Sequence, residues 1–417
     1  MAKFKVGLIG LGTVGTGVYK TLQNFNDVEI VKIAVKNINK KRDIENFDES
    51  LMTTDPYEIV NNPDIDILVE VIGGVNPAWD IISKAIENGK HIVTANKELL
   101  AKKGEELFNL AEKHNKVVLY EAAIAGGIPL IMPIKTIMAG NKITQIKAIL
   151  NGTTNYILTK MDTDGASYAD VLKEAQELGY AETDPTGDVE GFDAAYKITT
   201  LSTIAFGKRV KLNNVYREGI TKVRAEDMQM ANELGYKIKL IALGNLDENG
   251  NADVRVHPML VSKHSELAHI NYVTNSVCLN GYPMGKIAFS GPGAGEFPTA
   301  SSVVGDILNI VEELKHSEYI LPMMRCNHSE NAKMIDISET YNKYSITAPN
   351  NIGVIGKIGT ICANKHISLS SILQKGVSDD NTADITVITE KCKEADIQSA
   401  ISELKDCTIN SLIRVEL

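Results

Sequence analysis

Cysteine is scarce in this chain. Five occur (Cys278, Cys326, Cys362, Cys392 and Cys407), and no two stand in a C-x-x-C pair. An odd number without that spacing speaks against a disulfide framework or a zinc site and for a reducing, cytoplasmic setting. A basic excess is also missing: 43 Lys and Arg stand against 53 Asp and Glu, a net charge of −10. That excludes a general nucleic-acid binder, which needs a basic face. No apolar stretch suits a membrane span. The most apolar one, residues 122–140, is broken by Gly126, Gly127, Pro129, Pro133 and Lys135. The N-terminal "MAKFKVGLIGLG" runs straight into an apolar strand pattern, so no secretory leader is expected. Internal repeats and low-complexity tracts are absent too.

What is present is a globular composition. The chain has 417 residues, 44% hydrophobic and 23% charged, enough for a sizeable core. At roughly 150 residues per domain it makes two or three domains. Phe4–Ile9 reads as a buried strand and residues 14–24 as a helix. Further strands are expected at 28–35, 65–72, 91–94 and 117–121, with helices at 78–88 and 96–113 between them. Strands alternating with helices imply a doubly wound, Rossmann-type parallel sheet over residues 1–135. From residue 136 to 294 the pattern changes to a mixed α+β domain, with strands in "KITQIKAIL", "VYREGI", "KIKLIALGNL" and "ADVRVHPML". Residues 295–325 are expected to return to the first domain. A polar linker (326–342) precedes a tail (343–417) that reads strand, helix, strand, strand, helix, strand.

"GLGTVG" places Gly10, Gly12 and Gly15 after a strand and before a helix. The glycines allow a tight turn, close approach of the backbone to a pyrophosphate, and helix–strand packing. Thr13 and Val14 then offer helix N-terminal N–H groups to the phosphates. About 20 residues on, a carboxylate would bind the ribose hydroxyls of NAD. None stands there. Lys36 does, with Lys40, Lys41 and Arg42 nearby, which favours NADP over NAD against the alternative of a solvated basic loop.

Two lysines stand in unusual places. In "TANKELL", Asn96 is a good helix cap, so Lys97 falls in the first turn, where the helix dipole disfavours a cation. Either a bound group offsets this, or the lysine faces solvent. In "GYAETDPTGDVEGFDAAYK", five carboxylates (Glu182, Asp184, Asp188, Glu190 and Asp193) precede Lys197. Asp193 and Lys197 are four apart and share a helix face. A surface ion pair has the same spacing. The small and apolar neighbours of Lys197 favour a buried amine, whose proton affinity shifts readily into a working range. The order of acids does not fit the calcium loop. No Ser/His/Asp arrangement is legible, and His91, His114 and His257 read as structural.

These motifs, together with "YEAAIAGGIPL", "NGTTNYIL" and "GPGAGEFPTASSVVGDI", resemble homoserine dehydrogenase from residue 6 to about 310. The tail resembles an ACT domain, a ferredoxin-like ligand-sensing module. The resemblance implies a monofunctional enzyme that reduces L-aspartate 4-semialdehyde to L-homoserine with NAD(P)H, reversibly. It implies that Glu182 and Asp188 contact the substrate, with Glu182 on its amine and Thr153, after Gly152, helping to hold it. Asp193 would position the substrate or the lysine, Lys197 would pass the proton, and Lys97 would join the relay near the nicotinamide. Gly295 would approach the cofactor. A monovalent cation such as sodium would lie near Glu121, Ile124, Gly126 and Ile128, mostly on backbone carbonyls. A homodimer or homotetramer and an amino-acid effector at the ACT domain also follow. The tail departs from the family pattern D-x-P-G: it has "NNIGVIGKI", with Asn350 and Asn351 and no proline beside Gly353. With all assigned residues before or at Gly295, the tail is expected to be separable from the chemistry.

Two rivals are weaker. Aspartate-semialdehyde dehydrogenase needs a cysteine nucleophile in its catalytic domain, and the first cysteine here, Cys278, lies in no such motif. A non-enzymatic nucleotide and amino-acid sensor would not need Lys97, Glu182, Asp193 and Lys197.

Overall fold

The apolar run Phe4–Ile9 forms β1, the centre of a six-stranded sheet. The other strands are β2 (Val28–Ala34), β3 (Met52–Thr53), β4 (Ile67–Glu70), β5 (His91–Thr94) and β6 (Val118–Leu119). Their order is β3-β2-β1-β4-β5-β6, and every pairing is parallel. Val6, Leu8, Ile67, Leu68, Val69, Ile92 and Val93 are all fully buried. A parallel sheet with both faces covered demands such uninterrupted apolar runs. The chain reverses its winding between β1 and β4, and ligands of doubly wound sheets bind at that point, beyond the carboxyl ends of the strands. The computed structural model describes residues 3–316, 330–374, 384–404 and 407–417.

The described chain falls into two compact units. The first comprises residues 1–144, 196–212 and 277–332, the second residues 145–195, 213–276 and 333–417. In the first, the helix Glu296–Lys315 packs along the helix Thr13–Leu22. A Cβ at Gly17 would lie 2.5 Å from the Glu296 carbonyl oxygen, so only glycine permits this approach. Residues 317–329, where the expected return ends and the expected linker begins, lie outside the described residues.

His91 and His257 are buried neutral bases, one in each unit. The Nδ1 atom of His91 accepts the Val117 N–H at 3.3 Å. Burial, with the Lys116 charge as a smaller cause, lowers the His91 pKa to about 4. His257 is fully buried and pushed in the same direction by burial and then by Arg414 and Arg255. In the unfolded chain both would titrate near about 6.5. Below that pH the unfolded state binds protons that the folded state refuses, so stability falls as the solution is acidified. His91 alone is expected to cost about 2 kcal/mol by about pH 5. Denaturant titrations at neutral pH and at about pH 5 check this: His91→Gln should show a smaller acid loss than the parent, and equal losses would refute the assignment.

The second unit is built on a long mixed sheet. From the strand Lys142–Ile149 onward its order is Lys142–Ile149, Tyr236–Leu246, Ala252–Ser262, Ser411–Val415, Tyr341–Pro349, Asp384–Thr389, Leu369–Gln374. The last four strands, with the helices Val354–Asn364 and Glu394–Glu403, make a βαββαβ arrangement with strand order 4-1-3-2, a ferredoxin-like fold. Tyr344, Ile346, Ile358, Ile385, Val387 and Ile397 form its own core.

That core does not make the tail a loosely tethered module. Its last strand pairs in parallel with Ala252–Ser262, Met259 opposite Arg414 and Leu260 opposite Val415. The Ser262 N–H donates to Glu416, and Lys147 pairs with the same carboxylate at 3.1 Å. The polar stretch read as a linker is engaged too: Ala252 exchanges backbone hydrogen bonds with Lys333 and Ile335. Charged and polar composition marks such a segment as exposed, yet its backbone bridges an existing strand.

Candidate functional site

The first unit presents the nucleotide-binding turn. Gly10 has φ +104, a conformation that favours glycine. A Cβ at Gly15 would stand 2.1 Å from the Gly10 carbonyl oxygen, so the turn closes only without one. At Gly12 a Cβ would meet no described atom within 4 Å, which leaves the backbone open to a ligand. Gly12 caps the helix without a side chain, and the first intrahelical bond runs from the Thr16 N–H to the Gly12 carbonyl. The N–H groups of Thr13, Val14 and Gly15 precede that bond and suit an anion. The residues present therefore fit a dinucleotide pyrophosphate.

After β2 the Val35 N–H is bound by the Thr53 carbonyl, and Lys36 follows, exposed. Arg42 serves the loop itself: its guanidinium donates to the carbonyls of Asn37 at 2.9 Å and Lys40 at 2.7 Å. Lys36, Lys40 and Lys41 remain exposed cations of this loop.

At the carboxyl ends of β4 and β5 lies a network that the motifs did not reveal. Glu70 is fully buried, and its carboxylate accepts from Ile72 N–H (2.8 Å), Gly73 N–H (3.0 Å) and the Thr94 hydroxyl (2.7 Å). Burial raises its pKa, and these hydrogen bonds act against that shift. Asn96 caps the helix Lys97–Lys113 by accepting from the Leu99 N–H, and its amide donates to the Gly74 carbonyl at 2.6 Å. The loops after β4 and β5 are thus locked together. Lys97 is the first helical residue, half-buried, in the position its spacing predicted. An acid ending the apolar run "ILVE" was the available signal for Glu70.

The positions expected to hold a cation also lie in this unit. Glu121 is buried, and its carboxylate accepts from the N–H groups of Leu130, Ile131 and Met132, capping the helix Ile131–Lys135. Those bonds engage the side chain, leaving the carbonyl as the atom that could serve a cation. Ile124 and Ile128 are buried, and the Gly126 carbonyl accepts from the Ser302 hydroxyl at 2.7 Å. Gly126 has φ +58, and a Cβ there would come within 2.4 Å of the Gly293 oxygen. Among the described residues no group of three or more His, Cys, Asp or Glu is placed to hold a metal. Gly295, with φ +125, is exposed and caps the helix Glu296–Lys315.

In the second unit the five carboxylates separate into different tasks. Asp184 accepts from the Thr186 N–H and shapes the turn. Glu190 accepts from the Thr221 hydroxyl at 3.0 Å. Asp188 and Asp193 converge on a residue that sequence reasoning missed. One amide nitrogen, Nδ2 of Asn151, donates to Asp188 at 2.7 Å and to Asp193 at 2.9 Å. The other end of the same side chain caps the helix Gly152–Asp164, accepting from Thr154 N–H at 2.8 Å and from the Thr154 hydroxyl. Asn151 therefore holds two carboxylates side by side and is itself fixed by the helix it caps. The "N" of "NGTTNYIL", placed as a helix cap, was the only local sign of it.

Gly152 opens that helix, with space for a Cβ limited by the Val273 oxygen at 3.0 Å. The Thr153 hydroxyl donates to the Tyr180 carbonyl at 2.7 Å, fastening the loop two residues before Glu182. Glu182 is exposed, and Gln176 binds its carbonyl. Asp193 and Lys197 are both buried, one turn apart on the helix Phe192–Phe206.

A parallel sheet in this order with an open glycine turn, in a chain that also carries a buried acid–lysine helix, defines a dinucleotide-dependent oxidoreductase. The comparisons narrow the class. Residues 10–121 match the NAD-binding domain of homoserine dehydrogenase and residues 129–308 match homoserine dehydrogenase proper. The chain belongs to the homoserine dehydrogenase family. It is 42% identical over 430 residues to the homoserine dehydrogenase of Synechocystis sp., covering 99% of each chain. It is similar to the crystal structure of a homoserine dehydrogenase from Thiobacillus denitrificans, with TM-score 0.92 and 37% identity over 100% of this chain and 99% of that one. A hyperthermophilic archaeal homoserine dehydrogenase solved in complex with NADPH is 27% identical, with TM-score 0.65, over 75% of this chain and 98% of that one.

Proposed function

We propose that this protein interconverts L-aspartate 4-semialdehyde and L-homoserine with NAD(P). The observation that carries the reading is the Asn151 amide holding Asp188 and Asp193 together at the start of the helix that bears Lys197. A bound nicotinamide would supply the hydride for reduction and take it back in oxidation, its dinucleotide held at the turn of Gly10, Gly12 and Gly15. Lys197 gives a proton to the carbonyl oxygen in reduction and takes it back in oxidation. Asp193 holds the substrate or the lysine in place, and Lys97 joins the proton relay. Glu182 and Asp188 supply the negative charge that a cationic α-amino group needs, and charge-assisted hydrogen bonds of this kind are short and strong. Thr153 acts through the loop it fastens. The test is loss of NADPH absorbance on adding the semialdehyde. Absence of any loss at saturating substrate would overturn the reading.

NADP is the preferred cofactor on the strength of Lys36 and the missing acid after β2. Lys36→Ala should weaken NADPH by about 5–10-fold, since an exposed charge contact is worth roughly 1 kcal/mol, and should leave NADH nearly unchanged. Dissociation constants for both nucleotides check it, and equal losses would make the loop a bystander.

The carbonyls of Glu121, Ile124, Gly126 and Ile128 are the proposed ligands of a monovalent cation such as sodium, a hard ion that takes oxygen donors. We assign residues 343–417 to an ACT module binding an amino-acid effector. Its candidate site is the depression lined by Pro349, Asn351, Val354, Lys357 and Thr408, beside the altered first loop. A homodimer or homotetramer in the cytoplasm completes the proposal.

A further inference from the structure

We propose that Arg414, in the last strand of the tail, is a positioning residue for the substrate loop and acts through Glu218 and Arg217. The inference rests on the reading of residues 182–197 as the substrate loop and extends it to the far end of the chain.

Arg414 is buried among charges. Its guanidinium grips Glu394 with two donors, at 3.1 and 2.8 Å, and donates with a third to Glu218 at 2.9 Å. It also lies 4.9 Å from the centre of the Tyr216 ring, whose hydroxyl donates to Glu218. A planar fork with several donors can hold two carboxylates at once in a fixed geometry, which a lysine cannot. Glu218 is therefore held between the tail and its own strand. Desolvated pairs of this kind rarely add net stability, and conformational specificity is a better-attested role for them.

Glu218 continues the strand Tyr216–Arg217, whose partner is Ala252–Ser262. Along a strand, successive side chains point to opposite sides. Glu218 turns to Arg414, and Arg217 turns to the substrate loop. The Arg217 guanidinium stacks 3.5 Å from the centre of the Phe192 ring and donates to the Glu190 carbonyl. The next residues tighten the contact. Ile220 N–H donates to the Val189 carbonyl at 2.8 Å, and Thr221 binds the Glu190 carboxylate. A Cβ at Gly219 would lie 2.3 Å from the Val189 oxygen, so the two backbones touch. Val189, Glu190 and Phe192 lie between Asp188 and Asp193, the two acids that Asn151 draws together. The segment 216–221 is thus a clamp with the tail on one side and the substrate carboxylates on the other.

The test uses the full-length enzyme. Arg414→Met keeps the length of the side chain and removes its charge. It should raise the KM for the semialdehyde and lower kcat/KM by about tenfold, as expected for losing hydrogen bonds to a charged group, while the KM for NADPH stays constant. Arg414→Lys should recover only part of the loss. The double variant Arg414→Met/Arg217→Leu should lose no more than the worse single variant, because the two act along one path. A folded Arg414→Met enzyme with unchanged substrate kinetics, or additive losses in the double variant, would overturn the proposal. If Arg414→Met does not fold, Glu218→Gln decides, since it leaves the Arg414–Glu394 pair intact. The same substrate-side loss supports the clamp, and wild-type kinetics refute it. Asp193→Asn separates the two levels of inference. If it loses turnover while the Arg414 and Glu218 variants do not, only the clamp fails. If it retains full turnover, the reading of the substrate loop fails.

Discussion

Replacing Lys197 by methionine is expected to lower kcat by about 10²–10⁴-fold, the usual worth of one placed acid–base group. Lys197 is buried on a helix with Ala194, Ala195 and Ile198 as its neighbours, all of them buried. Methionine has a similar length and no charge, so the helix should keep its packing. The nucleotide turn depends on Gly10, Gly12 and Gly15 and on the helix N–H groups after them, none of which this substitution touches. NADPH affinity, read by fluorescence titration, should therefore be unchanged while turnover collapses. A variant with near-normal kcat would remove Lys197 from the proton path. A variant that also lost NADPH would point to a folding defect.

Exchanging Asn151 for serine is expected to reduce kcat/KM by about 10–100-fold and to lower stability through the two carboxylates rather than through the helix cap. Two functions of this side chain can be separated. As a helix cap it accepts the Thr154 N–H, and serine does that nearly as well. As a bridge it donates from one nitrogen to both Asp188 and Asp193, which a serine hydroxyl cannot do. Each charge-assisted hydrogen bond is worth about 1.5–3 kcal/mol. Without the shared donor the two carboxylates lose the side chain that ties both to the start of the helix Gly152–Asp164. The KM for the semialdehyde should consequently rise in Asn151→Ser, and the thermal midpoint should fall by less than in Asn151→Ala, which loses the cap as well. Asn151→Ala should add a cap loss of about 1 kcal/mol to the same kinetic defect. Wild-type kcat/KM in the serine variant would show that Asn151 is only a cap.

Much of the first unit was legible because its signals are local. The strand Phe4–Ile9 and the strand His91–Thr94 have the predicted bounds, since parallel strands buried on both faces are short apolar runs closed by turns. Asn96 was readable as a cap from its place before a helical pattern, and Lys97 followed from it. The hairpin strands Thr274–Tyr282 and Gly285–Pro292 were not anticipated. The second, "GKIAFSGP", is mostly exposed and contains glycine and proline, so it lacks the apolar run that marks a buried strand.

The tail shows the limit from the other side. Its strand and helix pattern was readable, and so was the chance of a core of its own. That its last strand would pair with Ala252–Ser262, and that Arg414 would reach Glu218 across 196 positions, was not. The sequence by itself determined the glycine turn, the missing ribose acid, the cap before Lys97 and the shared face of Asp193 and Lys197. The missing acid follows from a fixed count of residues after the glycine turn, and each of the others depends on residues within about one helical turn or on a backbone angle that only glycine adopts freely. Tertiary structure alone decided that Asn151 would bind carboxylates 37 and 42 positions away, that Glu121 would cap a helix with its side chain, and that Glu70 would lock two loops. Such partners are chosen by how sheets and helices pack, because a buried polar group must find its hydrogen bonds wherever the fold brings a donor within reach.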